Sequence, residues 1–160
     1  MSVAQTPASP RIAATPELVG LILGYACIAL GGLAAAVTGP LQWRLGSWLA
    51  AYLVLVGGLA QLVVSAQRRI LRTPPTGAAA TWLRVLGWPV GNAFVVLGSL
   101  TSLPVLTDIG GVVLVAVAVL ALVNTRRAGA PVLAWLVRLF YLALVISVPI
   151  GLVLATLRAA

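Results

Sequence analysis

Five apolar runs dominate this chain, each close to the length of a bilayer core and separated by short, mostly arginine-bearing connections. A hydrocarbon core about 30 Å thick takes about 20 residues of α-helix to cross. Within it every backbone N–H and C=O must find a partner inside the protein, which favours helices for runs of this length. The runs fall at residues 18–37, 48–66, 85–103, 109–124 and 132–157. They predict an all-α, polytopic transmembrane bundle of five helices, forming one unit over residues 17–158 behind a flexible tail at 1–16. A soluble fold is excluded on composition: 62% of the 160 residues are hydrophobic and 8% are charged, where a soluble domain carries about a quarter charged residues.

Local signals mark the ends of the runs. Thr15-Pro16-Glu17 reads as an N-cap, a proline in the first turn and an acid at the positive end of the helix dipole. Gly39-Pro40 closes the first run, Ser47 is placed to cap the second, and Arg68-Arg69 ends it. Thr73-Pro74-Pro75-Thr76-Gly77 reads as a turn. Pro89 predicts a kink in the third helix and Pro149 one in the fifth. Pro104 and Asp108 mark a tight hairpin in which Asp108 would cap the fourth helix, so helices three and four should pack as antiparallel neighbours. Asn124 reads as a C-cap, and Pro131 as the first turn of the fifth helix.

The charges orient the bundle. All ten basic residues are arginine, against two acids, for a net charge of +8. Five spans put Arg11, Arg68, Arg69, Arg72, Arg84, Arg126, Arg127 and Arg138 on one side, with Arg44 and Arg158 on the other. The positive-inside rule makes the crowded side cytoplasmic, with the N-terminus inside and the C-terminus outside. Trp43 and Trp48 then fall at the outer interface and Trp82, Trp88 and Trp135 near the inner one, the usual belts for tryptophan. Positive charge in such connections meets lipid headgroups, so no nucleic-acid partner is expected. The absence of lysine and the richness in Ala, Gly, Val and Leu point to the plasma membrane of a GC-rich bacterium.

Small residues recur at helical spacing. The first helix carries Gly20, Gly24, Cys27, Gly31 and Ala35 on one stripe, the second Ala51, Gly58 and Ser65, the third Gly87, Gly91, Gly98 and Ser102, and the fifth Ser147, Gly151 and Ala155. Such stripes let backbones approach closely in lipid, where no hydrophobic drive separates helix from solvent. They read either as packing within the chain or as a face for another subunit, with Gly20, Gly24, Cys27, Gly31, Ser147, Gly151 and Ala155 as the candidates.

Catalytic chemistry has few residues to use. The chain has no histidine, one cysteine (Cys27, inside the first run) and no methionine beyond Met1. Histidine-based haem or zinc ligation and Ser-His or Cys-His nucleophiles are thereby excluded, and no metal or cofactor is expected. Glu17 and Asp108 fall on opposite membrane faces and read as helix-end residues, with Arg138 or Arg84 as possible partners for Glu17. Gln61 and Asn92 are the candidate intramembrane polar site; side chains of this type also serve as hydrogen-bonding glue between helices. The pattern predicts a non-catalytic accessory subunit that packs against other membrane protein subunits of a larger complex, a respiratory assembly being one host. The alternative is a small homo-oligomeric transporter or channel built around Gln61 and Asn92.

Overall fold

The computed structural model describes residues 15–73, 77–127 and 131–159, with the side chains of the last helix described from 132 to 148. The tail and Arg11, the turn at 74–76, Gly129, and the side chains of Pro149, Gly151, Ala155 and Arg158 lie outside the described residues. The chain is an all-helical membrane bundle. Its helices are α1 (Pro16–Thr38), α2 (Gly46–Leu71), α3 (Ala78–Thr101), α4 (Pro104–Asn124) and α5 (Pro131–Ala159). The first four are long and apolar enough to cross a bilayer, and α5 has a described apolar stretch at Val132–Val148.

The helix ends follow from backbone chemistry. Thr15 caps α1, its hydroxyl accepting from the Leu18 N–H at 3.3 Å, with Pro16 in the first turn. α2 closes on Arg72 and α3 on Ser102, both left-handed at φ 52° and 56°. In each the cap N–H returns to a carbonyl of the last turn, Arg68 in α2 and Gly98 in α3, satisfying groups that a helix end leaves open. A non-glycine residue rarely adopts that conformation. Only Ser102 and Leu103 separate α3 from α4, so the two helices must fold back on each other.

Several boundaries differ from the sequence reading. α3 begins at Ala78 rather than near 85, so Arg84 lies inside the helix and is buried. Trp88 is correspondingly three turns in and 1% exposed, not at an interface belt. α4 begins at Pro104 rather than 109, because proline lacks the N–H that the first turn leaves unpaired anyway. Asp108 is therefore within α4 and does not cap it. α2 begins at Gly46 with Leu45 at the cap position, displacing Ser47 from that role, and continues past Arg68-Arg69 to Leu71. Its middle, Leu53–Leu59, winds as a π-helix, a wider turn that inserts a residue into the ladder.

Packing is organised as two glycine-sealed hairpins. In α1/α2, a Cβ at Gly58 would collide with Ile28 and stand 3.1 Å from the Gly24 carbonyl oxygen, while one at Gly24 would stand 3.2 Å from that of Gly58. In α3/α4, a Cβ at Gly110 would come within 2.7 Å of the Gly91 carbonyl oxygen. At both crossings only glycine lets the backbones approach this far. α5 packs against α4 and touches α2. The contact between the α1/α2 hairpin and the α3/α4/α5 group is sparser than the contact inside either. Glycine at these crossings is thus a requirement of the packing. Gly58→Leu should destabilise the bundle by about 1–3 kcal/mol, as overpacking generally does. Gly32→Leu should leave stability unchanged, since nothing lies within 4 Å of a Cβ there. Unfolding of both variants in detergent micelles measures the difference.

Candidate functional site

The polar side chains at mid-depth converge on the seam between the two helix groups, and two of them, Gln61 and Trp88, donate to backbone carbonyls across it. Proline at 89 has no N–H, so the carbonyl four residues earlier, that of Val85, loses its helical partner. Gln61 of α2 supplies one: its Nε2 donates to the Val85 oxygen at 3.0 Å. Gln61 is 1% exposed and is itself anchored by Ser65, whose hydroxyl donates back to the Gln61 carbonyl at 2.8 Å. At the same level the π-turn of α2 offers the Val56 carbonyl, and Trp88 Nε1 donates to it at 2.8 Å. A proline-bearing helix and a widened one therefore face each other, each supplying a side-chain donor to the other's backbone.

A second pair of ties lies nearer the arginine-rich end. Gln67 Nε2 donates to the Ala121 carbonyl of α4 at 2.8 Å, and the Tyr141 hydroxyl of α5 donates to Gln67 Oε1 at 2.8 Å. Both side chains are essentially inaccessible. Gln67 thus joins α2 to α4 and α5, a role that the residue's position beside Arg68 did not suggest. All four ties cross the seam, and each such bond contributes about 0.6–2 kcal/mol in a bilayer.

Asn92 sits further along α3, 5% exposed, with its Nδ2 donating to the Trp88 carbonyl of its own helix at 2.9 Å. Gln61 and Asn92 do not hydrogen-bond to each other: one serves the Val85 carbonyl and the other its own turn. Asn92 Oδ1, Gln61 Oε1 and the Tyr52 hydroxyl are buried without a hydrogen-bond partner.

The arginine-rich end has its own geometry. Glu17 pairs with Arg68 at 3.2 Å. Both side chains are more than a third exposed, so the pair contributes at most about 1 kcal/mol. Arg138 is taken up at the end of α4: its Nε donates to Thr125 Oγ1 and its Nη2 to the Thr125 carbonyl, both at 3.0 Å, and its guanidinium lies 5.9 Å from the Trp135 ring centre. It caps one carbonyl at the negative end of the α4 dipole instead of extending freely to the interface. A notch of about 10 Å³, lined by Glu17, Ser65, Arg68, Thr81 and Arg84 among others, opens where α1, α2 and α3 meet. At the opposite end the α1–α2 loop, Leu41 to Leu45, borders a wide open cleft.

The small-residue stripes divide. Gly20, Gly24 and Gly31 are buried against α2, where their neighbours are Ser65, Leu62 and Val54, and Cys27 lies against Gly57. Ser147 is exposed on α5, its hydroxyl donating to the Leu144 carbonyl of its own helix at 3.3 Å. Among the described residues, no three His, Cys, Asp or Glu side chains gather as a metal site would require. Comparison with protein-family models, curated proteins and solved structures gave no match.

The Gln61–Val85 bond exists because Pro89 is there, and that dependence is measurable. Gln61→Leu should destabilise the bundle, and its coupling with Pro89→Ala should be about 1 kcal/mol. Alanine at 89 restores the N–H for Val85, so the glutamine has less to contribute in that background. The loss of Gln61 Oε1 is common to both backgrounds and cancels in the cycle. Tyr141→Phe should likewise cost about 1 kcal/mol, because it strips Gln67 Oε1 of its donor in a buried place; reversible unfolding of the variant in micelles tests it.

Proposed function

We propose that this protein is a non-catalytic accessory subunit that packs beside a larger membrane complex in the plasma membrane of a bacterium. The observation that carries this reading is how the intramembrane polar groups are used. Gln61, Gln67, Trp88 and Tyr141 all spend hydrogen bonds on holding the helices together. The two acids lie near helix ends, Glu17 in the first turn of α1 and Asp108 early in α4, away from one another. A chain built this way is suited to supply a shaped apolar surface.

The surface available for a partner is narrower than the glycine pattern suggests. The α1 stripe is occupied inside the chain by α2, which leaves the outward side of α5 around Ser147, flanked by exposed apolar residues such as Ile146 at 59%. We therefore assign the partner face to α5, whose side around Ile146 and Ser147 is exposed. The competing reading, a homo-oligomeric transporter, draws on the buried unpartnered oxygens of Gln61 and Asn92.

Gentle extraction of the tagged protein from its native membrane separates the two. A stoichiometric larger partner, lost when Ser147 is replaced by a bulky Phe, is the expected result. A lone homo-oligomer contradicts the accessory reading and favours transport. Orientation is checked alongside: a cysteine placed at Arg72, in a Cys27→Ala background, should react with an impermeant thiol reagent only from the cytoplasmic side, and one placed at Gln42 only from outside.

A further inference from the structure

The two hydrogen bonds that cross between α2 and α3 fix an antiparallel register: Gln61 meets Val85, and Val56 meets Trp88. One turn further in the same direction, that register brings Tyr52 of α2 to the level of Asn92 of α3. The Tyr52 hydroxyl and Asn92 Oδ1 are both buried and have no hydrogen-bond partner, although one is a donor and the other an acceptor. Tyr52 packs on the core that contains Trp88 and Val95, with its ring stacked on Trp48 at 5.2 Å between centres. Nearer the arginine-rich end, Gln61 Oε1 is also buried and unpartnered.

We propose that the α2–α3 seam is a binding site for internal water, with one molecule held between the Tyr52 hydroxyl and Asn92 Oδ1 and another on Gln61 Oε1. The inference is independent of the accessory role. Burying a hydroxyl or amide oxygen without a partner costs several kcal/mol in an apolar medium, about 2–7 depending on reference. Water removes that cost, since an internal water makes about three hydrogen bonds to otherwise unsatisfied groups. It can accept from Tyr52 and donate to Asn92.

The chemistry selects water over a cation. The three unpartnered oxygens here are uncharged, and a hard cation wants about six oxygen ligands. A notch opens on the α2–α3 seam at the arginine-rich end. The notch there, about 10 Å³ in volume, holds the centre of about one water. Its walls include Ser65 and Val85, the two residues hydrogen-bonded to Gln61.

Two tyrosines, Tyr52 and Tyr141, make the test internal to the protein. The full chain in lipid nanodiscs is exposed to a brief X-ray pulse, which makes hydroxyl radicals from bound water in place, and tyrosine hydroxylation is read by mass spectrometry. Tyr141 is the control: it is buried and its hydroxyl already has a protein partner. Tyr52 should be labelled several-fold faster than Tyr141, and Asn92→Leu should reduce the Tyr52 rate several-fold. Radicals generated from peroxide in the bulk should label neither. Labelling of Tyr52 no faster than Tyr141, or equal labelling of Tyr52 by bulk radicals, overturns the site, as does an Asn92→Leu protein with an unchanged Tyr52 rate. If that variant does not fold, the comparison of Tyr52 with Tyr141 in the unaltered protein still decides.

Discussion

A backbone carbonyl that loses its helical partner inside a bilayer has no solvent to turn to. Pro89 creates that situation at Val85, and the way the bundle joins up follows from it. Here the donor comes from another helix, at the right depth, and is itself held in place. Gln61 meets these conditions because Ser65 ties down its backbone carbonyl and α2 runs antiparallel to α3. The π-turn at Leu53–Leu59 is the matching irregularity on the other side, exposing the Val56 carbonyl to Trp88. Two deviations from ideal helix geometry are thereby converted into two specific contacts.

This divides the stabilising work between two kinds of residue. Inside each hairpin, glycine at Gly24/Gly58 and Gly91/Gly110 brings backbones close enough for extensive van der Waals contact. Between the hairpins the apolar contact is thinner, and directional hydrogen bonds from Gln61, Gln67, Trp88 and Tyr141 set the register. Apolar helix faces slide against one another in lipid with little penalty, since lipid tails are as apolar as leucine. A glutamine bonded to one carbonyl on a facing helix does not permit that slide. The arginine-rich end closes the bundle in the same manner, with Arg138 on the Thr125 carbonyl tying α5 to the end of α4.

Much of the architecture was legible in the sequence because the bilayer imposes it through composition and length. The apolar runs, the Thr15-Pro16 start, the tight α3–α4 hairpin and the closeness of Gly24 to a partner helix all follow from local pattern. Helix starts were misplaced where hydropathy and backbone chemistry disagree. Trp82 and Arg84 make residues 78–84 look like a connection, yet they wind into α3, while Pro104 begins α4 although Asp108 looks like the cap. The seam was not legible. Gln61 and Val85 are far apart in the chain, and nothing near either residue names the other. The π-turn has no composition of its own beyond Gly57-Gly58, and Gln67 beside two arginines reads as the end of a span while its side chain is fully buried against α4 and α5.

An accessory role fits a molecule whose buried polar groups are largely committed to its own assembly and whose outer surface is apolar. The central physical claim is that Gln61 answers the proline at 89, and dipolar recoupling by solid-state NMR in lipid reads that contact directly. With valine carbonyls labelled in ¹³C and glutamine side chains in ¹⁵N, the described glutamines separate cleanly: Gln67 faces the Ala121 carbonyl, Gln42 faces that of Gly39, and Gln61 alone faces a valine. A single Val–Gln coupling at a nitrogen-to-carbon distance of about 4 Å, lost in Gln61→Leu, is the predicted result. Absence of that coupling in the unaltered protein would mean that the Val85 carbonyl is satisfied elsewhere, and the account of the seam would fall with it.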